Sequence, residues 1–449
     1  MAQSTLERPE VVAPSIAHAC EPMTSGPVRA ETPVGSGPGR VRLRGIDAAR
    51  GLALLGMMVV HILPATGADN NLTLPWALSV GKASALFAVV AGVGIAMTTG
   101  RPERLVGRRY AAASASLVAR AVAIGILGLL LGFVVPSENA LVILPYYAIL
   151  FLLAIPLIRL ERGQLVALTV GIIVLVPIAS HLWRAVNGGV TGDLTNPTLS
   201  TVASQPWEVL NMLLVTGGYP ALAWTAYICA GLAIGRSALA LRSSAAAVMV
   251  LGVLIAGAAS LGSWFLLEQA GGRAALDSAS TATSSVNSEL NILAGGAEGT
   301  LPTDTGWWLA TDVPHSGTPF DLLLTIGIAM AVLGAMILLC RAAGGLMLPL
   351  TAVGSMPLTM YTTHLLLLVQ PWMPSDATVA FMIQLVALTT LALVWSAYFR
   401  RGPLEHLVRV VSLAAGRRVS SGGSGAGGQR SATRTPGRHR VERNPLQVT

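Results

Sequence analysis

Three ionisable residues lie along one stripe of the first apolar segment of the chain, Ile46 to Pro64. At about 100° per residue in a helix, Arg50 and His61 fall within about 20° of each other, and Asp47 lies about 40° from His61. A charged side chain at the bilayer centre costs roughly 2.5–3.5 kcal/mol on insertion scales, so such groups face protein or a wet cavity. The stripe therefore predicts a polar site inside a membrane.

These residue types suit proton transfer and the stabilisation of negative charge. A neutral imidazole at His61 can act as a base or as a nucleophile. Arg50 can stabilise negative charge in a site of low dielectric constant. Two simpler interpretations stay open: Arg50 snorkels to the nearer membrane surface, and Asp47 only pairs with it at i, i+3.

The composition predicts the elements that must carry this stripe. Of the 449 residues 53% are hydrophobic and only 11% are charged, which excludes a soluble domain and indicates an all-α, polytopic membrane helical bundle. Apolar runs of about 17–25 residues predict about ten transmembrane helices. The predicted spans are 46–64, 77–98, 117–135, 140–158, 164–182, 219–236, 245–267, 320–340, 346–369 and 377–398.

Arginine placement predicts the orientation. Arginines concentrate in the connections after the second, fourth, sixth and eighth predicted helices, which the positive-inside rule places in the cytoplasm, together with both termini. The first of these connections could bind phosphate groups, although the positive-inside pattern alone also explains it. Its arginines are Arg101, Arg104, Arg108 and Arg109.

The membrane domain is predicted over residues 42–410, with extracytoplasmic loops at about 183–207 and 269–319. Residues 1–41 and 411–449 are expected to be disordered cytoplasmic tails. From Arg400 onward the chain has ten arginines and two glutamates, an excess that equals the formal net charge of +8. Such a tail fits anionic lipid headgroups better than nucleic acid. The three cysteines have neither metal-site nor disulfide spacing, so no metal is predicted.

Four further residues are candidates for lining the same cavity. Lys82 lies inside the second predicted helix and needs a partner there, for which Asp47 or an acyl-donor group is suitable. Tyr361 and His364 are three residues apart and share a helix face, where they line the cavity or form a locally satisfied core pair. His315 belongs to a long outer loop, which is either a lid or a linker.

Several segments resemble known membrane families. The opening segment resembles that of transmembrane acyltransferases, whose signature of an arginine, ten residues and a histidine is matched by Arg50 and His61. Three further segments resemble the bacterial heparan-alpha-glucosaminide N-acetyltransferase catalytic-domain family, and the last two resemble a related bacterial membrane family of unknown function. In order, these segments are Arg44 to Ala53, Gly217 to Trp224, Gly231 to Arg236, Pro314 to Pro319, Gly354 to His364 and Arg401 to Glu405.

The resemblance implies a bacterial inner-membrane enzyme that moves an acyl group from cytoplasmic acyl-CoA, as a co-substrate, to an extracytoplasmic glycan or other envelope acceptor. His61, Arg50 and Asp47 would form its centre. His61 would deprotonate the attacking hydroxyl or amine or itself accept the acyl group, Arg50 would orient the donor or stabilise developing negative charge, and Asp47 would hold Arg50 in place. The arginines between residues 101 and 109 would bind the phosphates of the donor. A secondary transporter is the alternative, since intramembrane charges and glycine or proline interruptions also suit a substrate pathway. A second copy of the stripe, which repeated halves would favour, is missing from the sequence. A catalytically silent scaffold is the third interpretation.

Overall fold

The computed structural model of the chain describes residues 43–69, 71–99, 105–187, 194–282 and 301–421. These ranges are helical and contain no β-strand, apart from one isolated bridge between Thr66 and Leu72. An all-helical architecture follows from the apolar composition, because a helix satisfies its own backbone hydrogen bonds in lipid.

Sixteen α-helices are found in the described ranges. They are α1 (Arg44–Ile62), α2 (Leu74–Ser79), α3 (Lys82–Thr99), α4 (Gly107–Val134), α5 (Leu144–Leu157), α6 (Arg162–Val186), α7 (Leu199–Ser204), α8 (Pro206–Asn211), α9 (Ala221–Gly235), α10 (Arg242–Trp264), α11 (Gly272–Ala282), α12 (Pro319–Ala342), α13 (Leu348–Ser355), α14 (Pro357–Leu368), α15 (Ala377–Tyr398) and α16 (Pro403–Ser421).

The protein is a polytopic membrane protein. Seven of the described helical segments are long and apolar enough to span a bilayer. The helix pair Pro206–Thr216 and Ala221–Gly235 is bent by 51° and counts as an eighth span if both helices cross the bilayer as one unit. All ten predicted segments fall on helices, but the count of ten and the side of each terminus stay predictions.

Proline explains why three predicted spans are shorter than expected. Pro145 lies in the first turn of α5, Pro220 precedes α9, and Pro357 begins α14. Proline has no N–H to donate and fits the first helical turn, so it sets where a helix can start. The predicted span 346–369 is accordingly divided into α13 and α14 by a break at Met356.

Close backbone contact positions α1 against α13. A Cβ atom at Gly354 would overlap the Asp47 carbonyl oxygen, and one at Gly51 would overlap that of Leu350. Small residues permit such an approach, and helices in membranes associate through this kind of packing. The contact holds α1 beside the α13–α14 break and therefore beside the residues that α14 carries.

One predicted boundary is wrong. Residues 411–421 were expected to belong to a disordered tail, but α16 continues to Ser421. The cause is packing against α4, where Ser116 Oγ donates to Ser412 O at 2.9 Å and Gly416 lies against Ala112 and Ser116. The rest of the basic tail, and all of residues 1–41, lie outside the described ranges.

Candidate active site

His61 meets a second histidine at the end of α1. Its Nδ1 lies 3.0 Å from Nε2 of His364 on α14, and the two rings are nearly parallel, with 2° between their planes. His364 is completely buried, whereas His61 is partly exposed. The structure thus brings together two residues that the sequence placed 303 positions apart.

Gln384 on α15 completes a chain of three side chains. Its Oε1 lies 2.7 Å from His364 Nδ1, and Gln384 is also completely buried. An amide oxygen can only accept, so His364 Nδ1 carries the proton and its Nε2 accepts from His61 Nδ1. Nε2 of a neutral His61 is then left with a lone pair, the form that a base or nucleophile requires.

His315 approaches this pair from the loop before α12. It adopts a positive φ of 61°, and its charge would interact with that of His61. Burial, with the Lys82 ammonium as a second cause, lowers the pKa of His315 to about 4. His315 is therefore neutral at physiological pH.

Asp47 was expected as a partner of Lys82, and the structure gives Lys82 other partners. Lys82 Nζ donates to Ala77 O at 2.7 Å, and the carboxylates that interact electrostatically with it are Asp321 and Asp312 rather than Asp47. Asp47 is at the opposite end of α1, which places it out of reach of the start of α3. Asp321 is itself positioned by the Gly317 N–H, which donates to Oδ2 at 2.9 Å.

The other charged residues of the stripe form a separate centre. Arg50 Nη1 donates to Asp47 Oδ1 at 3.2 Å, the i, i+3 pair that the sequence predicts. Because α1 is continuous, the eleven residues between Arg50 and His61 correspond to an axial distance of about 16 Å. Arg50 therefore shares a face with His61 without reaching it.

Arg120 is a residue of this second centre that sequence reasoning missed. It lies within α4, where its guanidinium is 5.1 Å from the ring centroid of Phe151 and interacts electrostatically with Arg50 and Glu405. A lone arginine thirteen residues into an apolar helix is the signal that could have identified it. Two guanidiniums that repel each other in a partly buried place are suited to an anionic ligand.

Glu405 was predicted only as part of a resemblance, and the structure gives it a positioning role. Its Oε1 accepts the backbone N–H groups of Leu358 and Thr359 at 2.6 and 3.1 Å, and Oε2 accepts the Thr359 hydroxyl at 2.6 Å. A carboxylate satisfies the free N–H groups of a helix N-terminus. Glu405 thereby fixes the start of the helix that carries His364.

The remaining predicted residues are not members of the histidine chain. Tyr361 accepts a hydrogen bond from Ile143 N at 3.3 Å and so joins α14 to the start of α5. Arg108 and Arg109 are exposed at the beginning of α4, while Arg101 and Arg104 lie outside the described residues.

An aromatic cluster beside His315 was missed. Tyr219 contacts His315 with ring centroids 5.5 Å apart, and it also contacts Tyr146 and Trp224 at 5.3 and 5.1 Å. These residues lie at the start of α5 and α9, so their contacts depend on packing between distant segments. In the described part of the chain, no group of three or more histidine, cysteine, aspartate or glutamate side chains could hold a metal ion.

The hydrogen-bond direction in the histidine chain can be tested at Gln384. A carboxylate in Gln384→Glu still accepts from His364 and stabilises its protonated form, so activity should persist with the acid limb of the pH–rate profile moved to higher pH. Gln384→Leu should lower the activity roughly tenfold to a thousandfold, because no acceptor then keeps the proton of His364 on Nδ1. The pH–rate profile of the acyl transfer that the resemblance implies, measured between pH 5 and 9, would show both effects.

Folding is the control for both variants. Gln384 Nε2 has no hydrogen-bond partner among the described residues, so its replacement by oxygen removes no contact there. If Gln384→Glu were as inactive as Gln384→Leu while both unfold at the wild-type temperature, the proposed direction of the chain would be wrong.

A family model matches the first half of the molecule. The family is described as heparan-alpha-glucosaminide N-acetyltransferase, catalytic, and the match covers residues 42–268. That range contains the α1 stripe and Lys82 and ends before His315 and His364. No curated protein matches the chain.

Proposed function

The chain belongs to the heparan-alpha-glucosaminide N-acetyltransferase catalytic family, and we propose that it is a membrane acetyltransferase with His61 at its reaction centre. The donor is acetyl-CoA from the cytoplasm, and the acceptor is a glycan or other envelope molecule on the far side of a bacterial inner membrane. The hydrogen-bonded chain of Gln384, His364 and His61 is the observation that carries the proposal.

The chain gives His61 the state that acyl transfer needs. As base, Nε2 takes the proton of the acceptor hydroxyl or amine while that oxygen or nitrogen bonds to the acetyl carbonyl carbon and the CoA thiolate leaves. As nucleophile, Nε2 first takes the acetyl group and then passes it to the acceptor. Both routes use the same lone pair. In the first, the imidazolium returns its proton to the departing sulfur; in the second, the thiolate leaves when Nε2 takes the acetyl group, and Nε2 takes the acceptor proton when the acetyl group is passed on.

Arg50 and Arg120 are proposed to bind the donor. The phosphates of acetyl-CoA would lie near these two guanidiniums, and the thioester would extend along the α1 stripe toward His61. The axial distance of about 16 Å supports this division of roles, because one group cannot serve both ends. Arg108 and Arg109, with Arg101 and Arg104, would attract the anionic donor to this end of the bundle. The basic tail is proposed to bind anionic lipid.

The broken helices favour transport as a second candidate. The bent pair at Pro206–Thr216 and Ala221–Gly235 resembles the interrupted helices that line substrate pathways. If the protein is a transporter, it should move an unmodified solute across the membrane without consuming acetyl-CoA.

Acetyl transfer by the purified protein in liposomes tests the proposed reaction. His61→Ala should reduce transfer of labelled acetyl from acetyl-CoA to envelope glycans by roughly a hundredfold or more, because it removes the base or acyl acceptor. His18 belongs to the predicted cytoplasmic tail and offers a control: His18→Ala should act like the wild type. Full activity of a correctly folded His61→Ala protein would remove His61 from the mechanism.

The donor site is tested by the same assay at varied acetyl-CoA concentration. Arg50→Gln and Arg120→Gln should each raise the KM for acetyl-CoA by roughly tenfold, because a charge-assisted hydrogen bond to phosphate contributes about 1.5–3 kcal/mol. Arg162→Gln, an exposed arginine at the same end of the bundle, is the control for charge alone. An unchanged KM in both variants with a lower kcat would place these arginines outside the donor site.

A further inference from the structure

A cavity of about 380 Å³ lies beside the outer loop, at the end of the bundle that carries His61. Its walls come from α6, the π-helical turn Met212–Thr216, the start of α9 and residues 316–318 of the loop. This volume is within the range of small-molecule sites. The cavity is separate from the histidine chain, whose members do not line it.

Two buried side chains with nitrogen hydrogen-bonding groups line this mainly apolar cavity. His181 and Arg184 lie one turn apart on α6 and are only 6% and 7% exposed. His181 Nδ1 has no hydrogen-bond partner among the described residues, and no ion pair found within the described ranges includes Arg184. Arg184 Nη1 donates to Leu301 O at 2.5 Å, which leaves further N–H groups of the guanidinium for a ligand.

The mouth of the cavity opens on a surface that faces lipid. Leu175, Trp183 and Leu222 line the cavity and are at the same time 66%, 43% and 40% exposed. On a membrane-spanning helix such exposed apolar side chains contact hydrocarbon. Trp183 is also of the residue type that marks the level of the lipid headgroups.

We propose that this cavity binds an anionic amphiphile that enters sideways from the outer leaflet. Its acidic group, a phosphate in the simplest case, would contact Arg184 and His181, and its hydrocarbon chain would extend past Leu175 and Leu222. A guanidinium and an imidazole with unused hydrogen-bonding atoms are suited to phosphate oxygens. A bound headgroup would lie against residues 316–318, immediately after His315.

Native mass spectrometry of the full chain in a neutral detergent tests this site. The probes are a polyprenyl phosphate, the parent polyprenol and glucose 1-phosphate, which separate a lipid phosphate from a chain alone and from a soluble phosphate. One polyprenyl phosphate should bind, roughly tenfold or more tightly than either of the other two. Equal binding of polyprenol or of glucose 1-phosphate would overturn the proposal.

Two variants locate the bound molecule. Arg184→Gln should weaken binding of polyprenyl phosphate by roughly tenfold. Because this change also removes the contact with Leu301, Ala179→Trp provides a second test that narrows the mouth and leaves the loop contact unchanged. Its matched control is Ile178→Trp, at the adjacent exposed residue, which does not line the cavity. Wild-type binding in both Arg184→Gln and Ala179→Trp would place the amphiphile elsewhere and reject the site.

Discussion

The hydrogen bond between His61 and His364 is the interaction on which the arrangement of the site depends. It joins α1 to α14, and it forms because Gly51 and Gly354 let α1 approach α13 closely. Glu405 fixes the start of α14, so even the last described helix contributes to the position of His364. In an apolar interior an unpaired ring nitrogen is costly, and this pairing therefore gives α1 and α14 a specific register.

The charges of α1 are divided between its two ends, and this division organises the account of function. At one end Arg50 pairs with Asp47 and interacts electrostatically with Arg120, while at the other end His61 lies within hydrogen-bonding distance of His364. Two guanidiniums suit a phosphate-bearing donor, and the histidine chain suits proton or acyl transfer. In the proposed mechanism the two tasks lie about 16 Å apart along α1, so that one helix would connect donor binding to the reaction centre.

Sequence patterns predicted the all-helical bundle and the α1 stripe, because both depend on local periodicity and on the cost of charge in lipid. They did not predict at which prolines a span begins or breaks, and they could not predict the partner of Lys82. Gln384 and Arg120 were missed because their contacts cross between helices distant in sequence. Each is the one strongly polar side chain in the apolar part of its helix, and that local signal could have identified both. His364 was a candidate, but its contact with His61 required the fold.

The central claim is that each ring of the histidine pair carries its proton on Nδ1. Solid-state NMR of ¹⁵N-histidine-labelled protein in bilayers, with His61→Gln and His364→Gln to assign the signals, measures this directly. The account predicts protonated Nδ1 and unprotonated Nε2 for both residues at neutral pH. A proton on Nε2 of His61 would contradict it, because the atom proposed to take the proton or the acetyl group would have no lone pair.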